Sequence, residues 1–286
     1  MAGQRPLTTF LVLAFAIGAP ALAVPGVTGL PAEPFLLVFL FLALLAPALL
    51  VTRWADGPGA IRRLLGRTLK WRFGLGRWAV ILLGMPTLTL AFAAASGSLQ
   101  TPDRGWLAEA GWYLFLTLVF GALAANLWEE TAWGGFVQSR LMARHGLLVG
   151  SLITAVPFAA IHVPLQVGEG WSEFGQGVLV VFVAAPFYRY LLGMHLLDTR
   201  GSILAIAVQH AAWNASGNLE SAPGEWQPVA AAVLLTLLVA AGRKTWPCED
   251  APRGLEEEKA AAAGWIGADA LRSSGRTRSG RATPSA

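Results

Sequence analysis

The chain has 286 residues, 55% hydrophobic and only 13% charged. Soluble domains carry about 25% charged residues, so the composition excludes an ordinary soluble domain and indicates an all-α integral membrane protein. The net charge of +4 does not indicate a nucleic-acid partner, because the basic residues flank apolar segments; the single cysteine, Cys248, excludes a disulfide framework and a thiolate zinc site.

Apolar runs of about 20 residues read as membrane spans. Eight candidates follow in chain order: 8–24, 35–52, 78–96, 106–128, 147–163, 175–197, 203–216 and 227–242. The seventh is short and polar for a lipid-facing helix and is expected inside the bundle. Residues 129–144, with Gln138, Arg140 and Arg144, are expected to continue the fourth span as helix.

Ala21-Leu22-Ala23 resembles a signal-peptide cleavage site, but only Arg5 precedes the apolar run, so we read a retained first span. The tail 243–286, rich in Ala, Gly, Arg and Ser with acidic Glu256–Glu258, is expected to be disordered. The chain thus divides into N-terminal helices and a basic loop (1–104), a site-bearing core (105–242) and a tail (243–286).

The loops alternate in charge. Arg53, Arg62, Arg63, Arg67, Lys70, Arg72 and Arg77 mark the first long loop; Arg140 and Arg144, Arg200 and the segment from Arg243 mark the same side. The opposite loops carry Asp103 with Arg104, Glu169 and Glu173, then Glu220 and Glu225. The positive-inside rule then places both termini in the cytoplasm. The basic loop 53–77 also suits contact with anionic lipid, although a topology signal accounts for it more simply.

Polar residues inside these spans are the functional signal. Glu129 and Glu130 directly follow the fourth span, at the start of its helical extension, His162 lies in the fifth, and His210 lies in the seventh with Asn214 one turn later. A carboxylate at membrane depth costs about 2.5–3.5 kcal/mol or more, so such residues require a partner or a task. From a turn at His145-Gly146, Glu130 is about 15 residues back and His162 about 17 forward, roughly 23–26 Å along each helix. His210 lies about 10 residues beyond the Arg200-Gly201 turn, roughly 15 Å deep. The levels agree if the hairpin tip projects into the cytoplasm, with the site nearer that face.

Adjacent glutamates diverge by about 100° on a helix and do not share a role. A carboxylate in a low-dielectric pocket takes a proton from water. Imidazoles bind a metal, orient that water or stabilise an oxyanion, and an asparagine amide donates to an oxyanion. Glu129, His162 and His210 also constitute a His₂Glu donor set for a divalent ion such as zinc, without the HExxH spacing that makes zinc the default.

The segments Glu129-Glu130-Thr131-Ala132-Trp133-Gly134-Gly135-Phe136, Phe158-Ala159-Ala160-Ile161-His162 and His210-Ala211-Ala212-Trp213-Asn214 resemble, over roughly residues 105–216, the EExxxR, FxxxH and HxxxN/D motifs of the CPBP (CAAX protease and bacteriocin-processing, or ABI) intramembrane proteases. The resemblance implies an intramembrane endopeptidase in a bacterial-type plasma membrane, acting on a peptide or membrane-protein substrate. In it Glu129 activates water, His162 and His210 position that water or bind a metal, and Asn214 contributes to an oxyanion hole. Glu130 is then the supporting glutamate. A catalytically weakened scaffold or immunity-type protein is the alternative. A proton-coupled transporter has less support, since neither an inverted repeat nor paired broken helices are apparent.

One position departs from the pattern: Gly134 stands where the family arginine falls. Arg189, about 11 residues before the Arg200 turn, is expected to pair with Glu130 in its place; otherwise it snorkels to the interface. His145 is expected at the surface, His195 at the cytoplasmic interface, and Trp133 and Phe158 in packing.

Overall fold

In lipid every backbone polar group must be satisfied within the chain, and long apolar runs achieve this as helices. The computed structural model describes residues 5–168, 170–245 and 255–267, all helix and connecting turns with no strand among them. Glu169 and Cys248 lie outside the described residues.

The helices are α1 (Pro6–Thr28), α2 (Glu33–Asp56), α3 (Ala60–Gly66), α4 (Leu75–Ala95), α5 (106–145), α6 (147–166), α7 (Trp171–Asp198), α8 (Ile203–Ser216), α9 (Trp226–Thr245) and α10 (Leu255–Ile266). Six described stretches are long and apolar enough to cross a membrane, against the eight expected. The difference is one of counting and length. Trp106–Gln166 holds two of the expected spans in one helical stretch. The 14-residue α8 is about 21 Å long, short of a hydrocarbon core of about 30 Å. As its polarity indicates, α8 is packed inside the bundle, with Ile203 and Ala205–Ala212 buried.

The hairpin of α5 and α6 carries most of the site. Its turn falls at Gly146, whose φ of 77° is the left-handed region that glycine adopts without strain. Gly150 then packs directly on the other arm: a Cβ there would lie 2.7 Å from the Met142 nitrogen and 2.8 Å from the Leu141 carbonyl carbon. Backbone cannot yield cheaply, so Gly150→Val should force the arms apart and cost about 1–3 kcal/mol. The check is a lower thermal midpoint for the purified variant.

Helices α1 and α2 pack beside this hairpin. Phe10 is fully buried, with its ring 5.9 Å from Trp133 and 5.1 Å from Phe136. Helix α8 packs closely on α5 and α4, and α7 packs along α6. Within the tail expected to be largely disordered, residues 255–267 are described and hold α10, which docks on α6; 246–254 and 268–286 lie outside the described residues. Glu258 accepts the Leu147 N–H at 2.9 Å, capping α6, and Trp265 lies 4.9 Å over the Arg67 guanidinium. These contacts order an Ala-rich segment whose composition alone favours disorder. His195 also differs from expectation: it is only 3% exposed, because α7 turns it inward rather than toward the interface.

Candidate active site

Glu129 and Glu130 are buried on α5, in a short α-helical segment between π-helical stretches at Phe115–Asn126 and Thr131–Gln138. Widened π-helical turns re-aim side chains and recur at functional sites. Their side chains diverge, as adjacent helical positions must, and each meets a different histidine.

Glu130 is held from two helices. Arg189 of α7 donates from Nη1 to Glu130 Oε1 at 2.8 Å and Oε2 at 3.0 Å, and both side chains are 0% exposed. His210 of α8 donates from Nδ1 to Glu130 Oε1 at 2.9 Å. Arg189 is itself fixed, since Nε donates to Gln138 Oε1 at 3.0 Å while Gln138 Nε2 donates to the Arg189 carbonyl at 2.7 Å and to Ser151 at 2.9 Å. The Arg189 guanidinium also lies 5.0 Å over the Phe158 ring. Arg189 therefore pairs with Glu130 and does not snorkel.

The vacancy of side chain at Gly134 is part of this arrangement. A Cβ there would fall 2.2 Å from Ile206 Cδ1 and 2.8 Å from Glu130 Oε2. The space that a side chain at 134 would use is filled by Ile206 of α8 and by Glu130, and the Arg189 guanidinium, Nη2 3.7 Å from the same point, is brought there by α7.

Glu129 faces the second histidine. His162 Nε2 lies 3.7 Å from Glu129 Oε1. The His162 Nδ1 donates to the Phe158 carbonyl at 2.6 Å, one helical turn back. A carbonyl oxygen only accepts, so Nδ1 carries a proton and the ring turns Nε2 toward Glu129. The His210 Nδ1–H is likewise committed, to Glu130. Each ring is thus oriented by its Nδ1 partner, leaving Nε2 available.

On its other side Glu129 Oε2 accepts from Asn126 Nδ2 at 3.4 Å, and Asn126 Oδ1 faces Asn214 Nδ2 at 3.5 Å. Glu129 Oε1 is buried without a hydrogen-bond partner, as is the Tyr188 hydroxyl. The Tyr188 ring lies 5.4 Å from that of His210. Unpaired buried oxygens cost free energy, and here they lie around the expected reaction centre. Asn214 is exposed and the His162 and Glu129 side chains are 20% and 11% exposed, whereas Glu130 and Arg189 are sealed.

All five expected residues, Glu129, Glu130, His162, His210 and Asn214, are brought into one connected cluster. Asn126 and Gln138 join it without having been singled out by sequence. Their available signal is helical spacing, three residues before Glu129 and eight after Glu130, on a helix otherwise apolar there. Two free imidazole nitrogens and an unpaired carboxylate oxygen suit a divalent ion chemically. The described residues, however, contain no group of three His, Cys, Asp or Glu side chains gathered closely enough to hold one.

Residues 109–216 match the family described as Rce1-like, type II CAAX prenyl endopeptidase Rce1-like. No curated protein matches the chain significantly.

Proposed function

From a core, residues 109–216, of the CAAX protease family, we propose that this integral membrane protein is an endopeptidase in which Glu129 activates water for attack on a peptide bond. The observation that carries this reading is Glu129 Oε1, buried, without a partner and 3.7 Å from His162 Nε2. A water between them gives one proton to Glu129 and directs the other toward His162 Nε2. Its oxygen attacks the carbonyl carbon. The resulting oxyanion would take its hydrogen bonds from Asn214 Nδ2 and the Tyr188 hydroxyl, the latter without a partner of its own. The carbon–nitrogen bond then breaks as Glu129 returns its proton to the leaving amine.

Glu130 does not take part in proton transfer. Bonded to Arg189 and to His210 Nδ1, it fixes the orientation of the His210 ring. The scaffold alternative rested on the missing arginine at 134; the Arg189–Glu130 ion pair supports the protease reading over it.

Purified full-length protein should cleave a membrane-anchored peptide carrying a C-terminal prenylcysteine motif, whereas Glu129→Ala and His162→Ala should not. Equal turnover in all three proteins overturns the reading. An unprenylated peptide assayed alongside tests the prenyl requirement. Metal analysis of the same active sample separates a water activated by Glu129 alone from one activated on a bound ion.

A further inference from the structure

A cleft of about 350 Å³ opens beside the loop joining α3 to α4, lined by Leu69, Lys70, Trp71, Arg72, Phe73, Thr199 and Arg200. Its level is set by the spans that flank it: α4 begins at Leu75 and α7 ends at Asp198. The cleft therefore sits where hydrocarbon gives way to headgroups.

Its chemistry is twofold. Lys70, Arg72 and Arg200 contribute cations, the Lys70 ammonium being held at the cleft by donating to the Arg200 carbonyl at 2.8 Å, and the lining contains no carboxylate. Asp198, on the adjoining helix end, is engaged by Arg243 at 3.0 Å. Partial burial, then the nearby Arg67 and Arg200 charges, hold the Lys70 ammonium below its ordinary pKa. Positive charge here is crowded against positive charge. In the lining Leu69 is 77% exposed and Trp71 stacks under Arg72 at 5.1 Å, and two residues beyond Phe73, at the start of α4, Leu75 is 86% exposed. Large apolar side chains at this level are matched by acyl chains, not by water.

We propose that this cleft binds the phosphodiester headgroup of an anionic phospholipid, with the phosphate between Lys70 and Arg72 and the upper acyl chain against Leu69 and Leu75. A free phosphate would use the cations and leave the apolar rim unsatisfied; a lipid uses both. The site is also tied to the catalytic helix. Ser202, which caps α8 by accepting the Ala205 N–H at 3.0 Å, donates to the Lys70 carbonyl at 2.6 Å, and Arg67 donates to the Gly201 carbonyl at 2.8 Å. The headgroup thus settles the segment from which the helix bearing His210 departs.

The test uses the full chain in neutral detergent, titrated with a short-chain phosphatidylglycerol and, separately, with the matching phosphatidylcholine and with inorganic phosphate. The readout is the thermal midpoint, with bound lipid measured by native mass spectrometry. Phosphatidylglycerol should raise the midpoint, whereas the other two should not. The pair Lys70→Gln with Arg72→Gln should bind it about 30-fold more weakly, at about a tenfold or smaller loss per charge. Arg53→Gln with Arg62→Gln, the same charge change outside the cleft, should stay within about threefold of the parent. Arg72→Gln alone, on an exposed side chain, provides a variant whose fold is not at stake and should show a partial loss. Equal losses in both pairs, no loss in either, or an equal response to inorganic phosphate would each overturn the proposal.

Discussion

Glu129→Gln is expected to lower the turnover of a cleaved peptide by about 10²–10⁴-fold while leaving the thermal midpoint close to that of the parent. The substitution keeps the shape, and the glutamine carbonyl still accepts from Asn126, now at 3.4 Å from Glu129 Oε2. What it removes is the ability to take a proton from water at Oε1, the atom that has no protein partner. Glu130→Gln should behave differently. It removes a carboxylate held by Arg189 at 2.8 Å and by His210 at 2.9 Å, so its loss of activity should come with a clear fall in midpoint. Activity of Glu129→Gln within about threefold of the parent would show that Glu129 is not the base.

Arg189→Met is the second large effect. A buried ion pair is not itself strong evidence of stability, but stripping one partner strands the other, at a cost of about 3–5 kcal/mol. Here the stranded groups are Glu130, with both oxygens bonded to Nη1, and Gln138 Oε1, bonded to Nε at 3.0 Å. Met fills much of the volume, so the loss reads as charge and hydrogen bonding rather than as a cavity. Arg189→Met combined with Glu130→Gln should recover a good part of the loss, because no unpaired charge remains. Arg189→Lys should rescue poorly, since one ammonium cannot serve a carboxylate and an amide from a planar fork. These changes are measured by unfolding of the purified proteins in detergent. A loss below about 1 kcal/mol for Arg189→Met would remove the ion pair from the account.

Much of this was legible in sequence because the membrane restricts the possibilities. Spans announce themselves by length, and their helical rise converts residue counts into depth. That is why counting from His145-Gly146 and Arg200 put Glu129, Glu130, His162 and His210 on one level, and why 203–216 was readable as an interior helix. Arg189 was reachable by the same count, as a charge too deep to leave unpaired. Asn126 and Gln138 were not separable from any other polar residue that bonds within a bundle. His195 was misplaced because depth along a helix says nothing of which way it faces. Helix α10 was missed because its order comes from distant contacts: the Leu147 N–H that Glu258 caps and the Arg67 guanidinium under Trp265.

The filled space at Gly134 constrains how this chain can vary. Ile206 and the Glu130 carboxylate occupy the positions that a side chain at 134 would need, and the compensating guanidinium enters from α7. Neither half of this exchange is neutral alone. An arginine added at 134 meets Ile206 and a second cation at Arg189; an arginine lost from 189 orphans Glu130. Positions 134, 189 and 206 should therefore change as a set among related chains, with glycine at the first accompanying arginine at the second. Arginine at 134 should be found with an uncharged residue at 189 and a smaller one at 206. A motif search that demands the arginine four residues after the second glutamate would pass over every chain that carries its charge on the other helix.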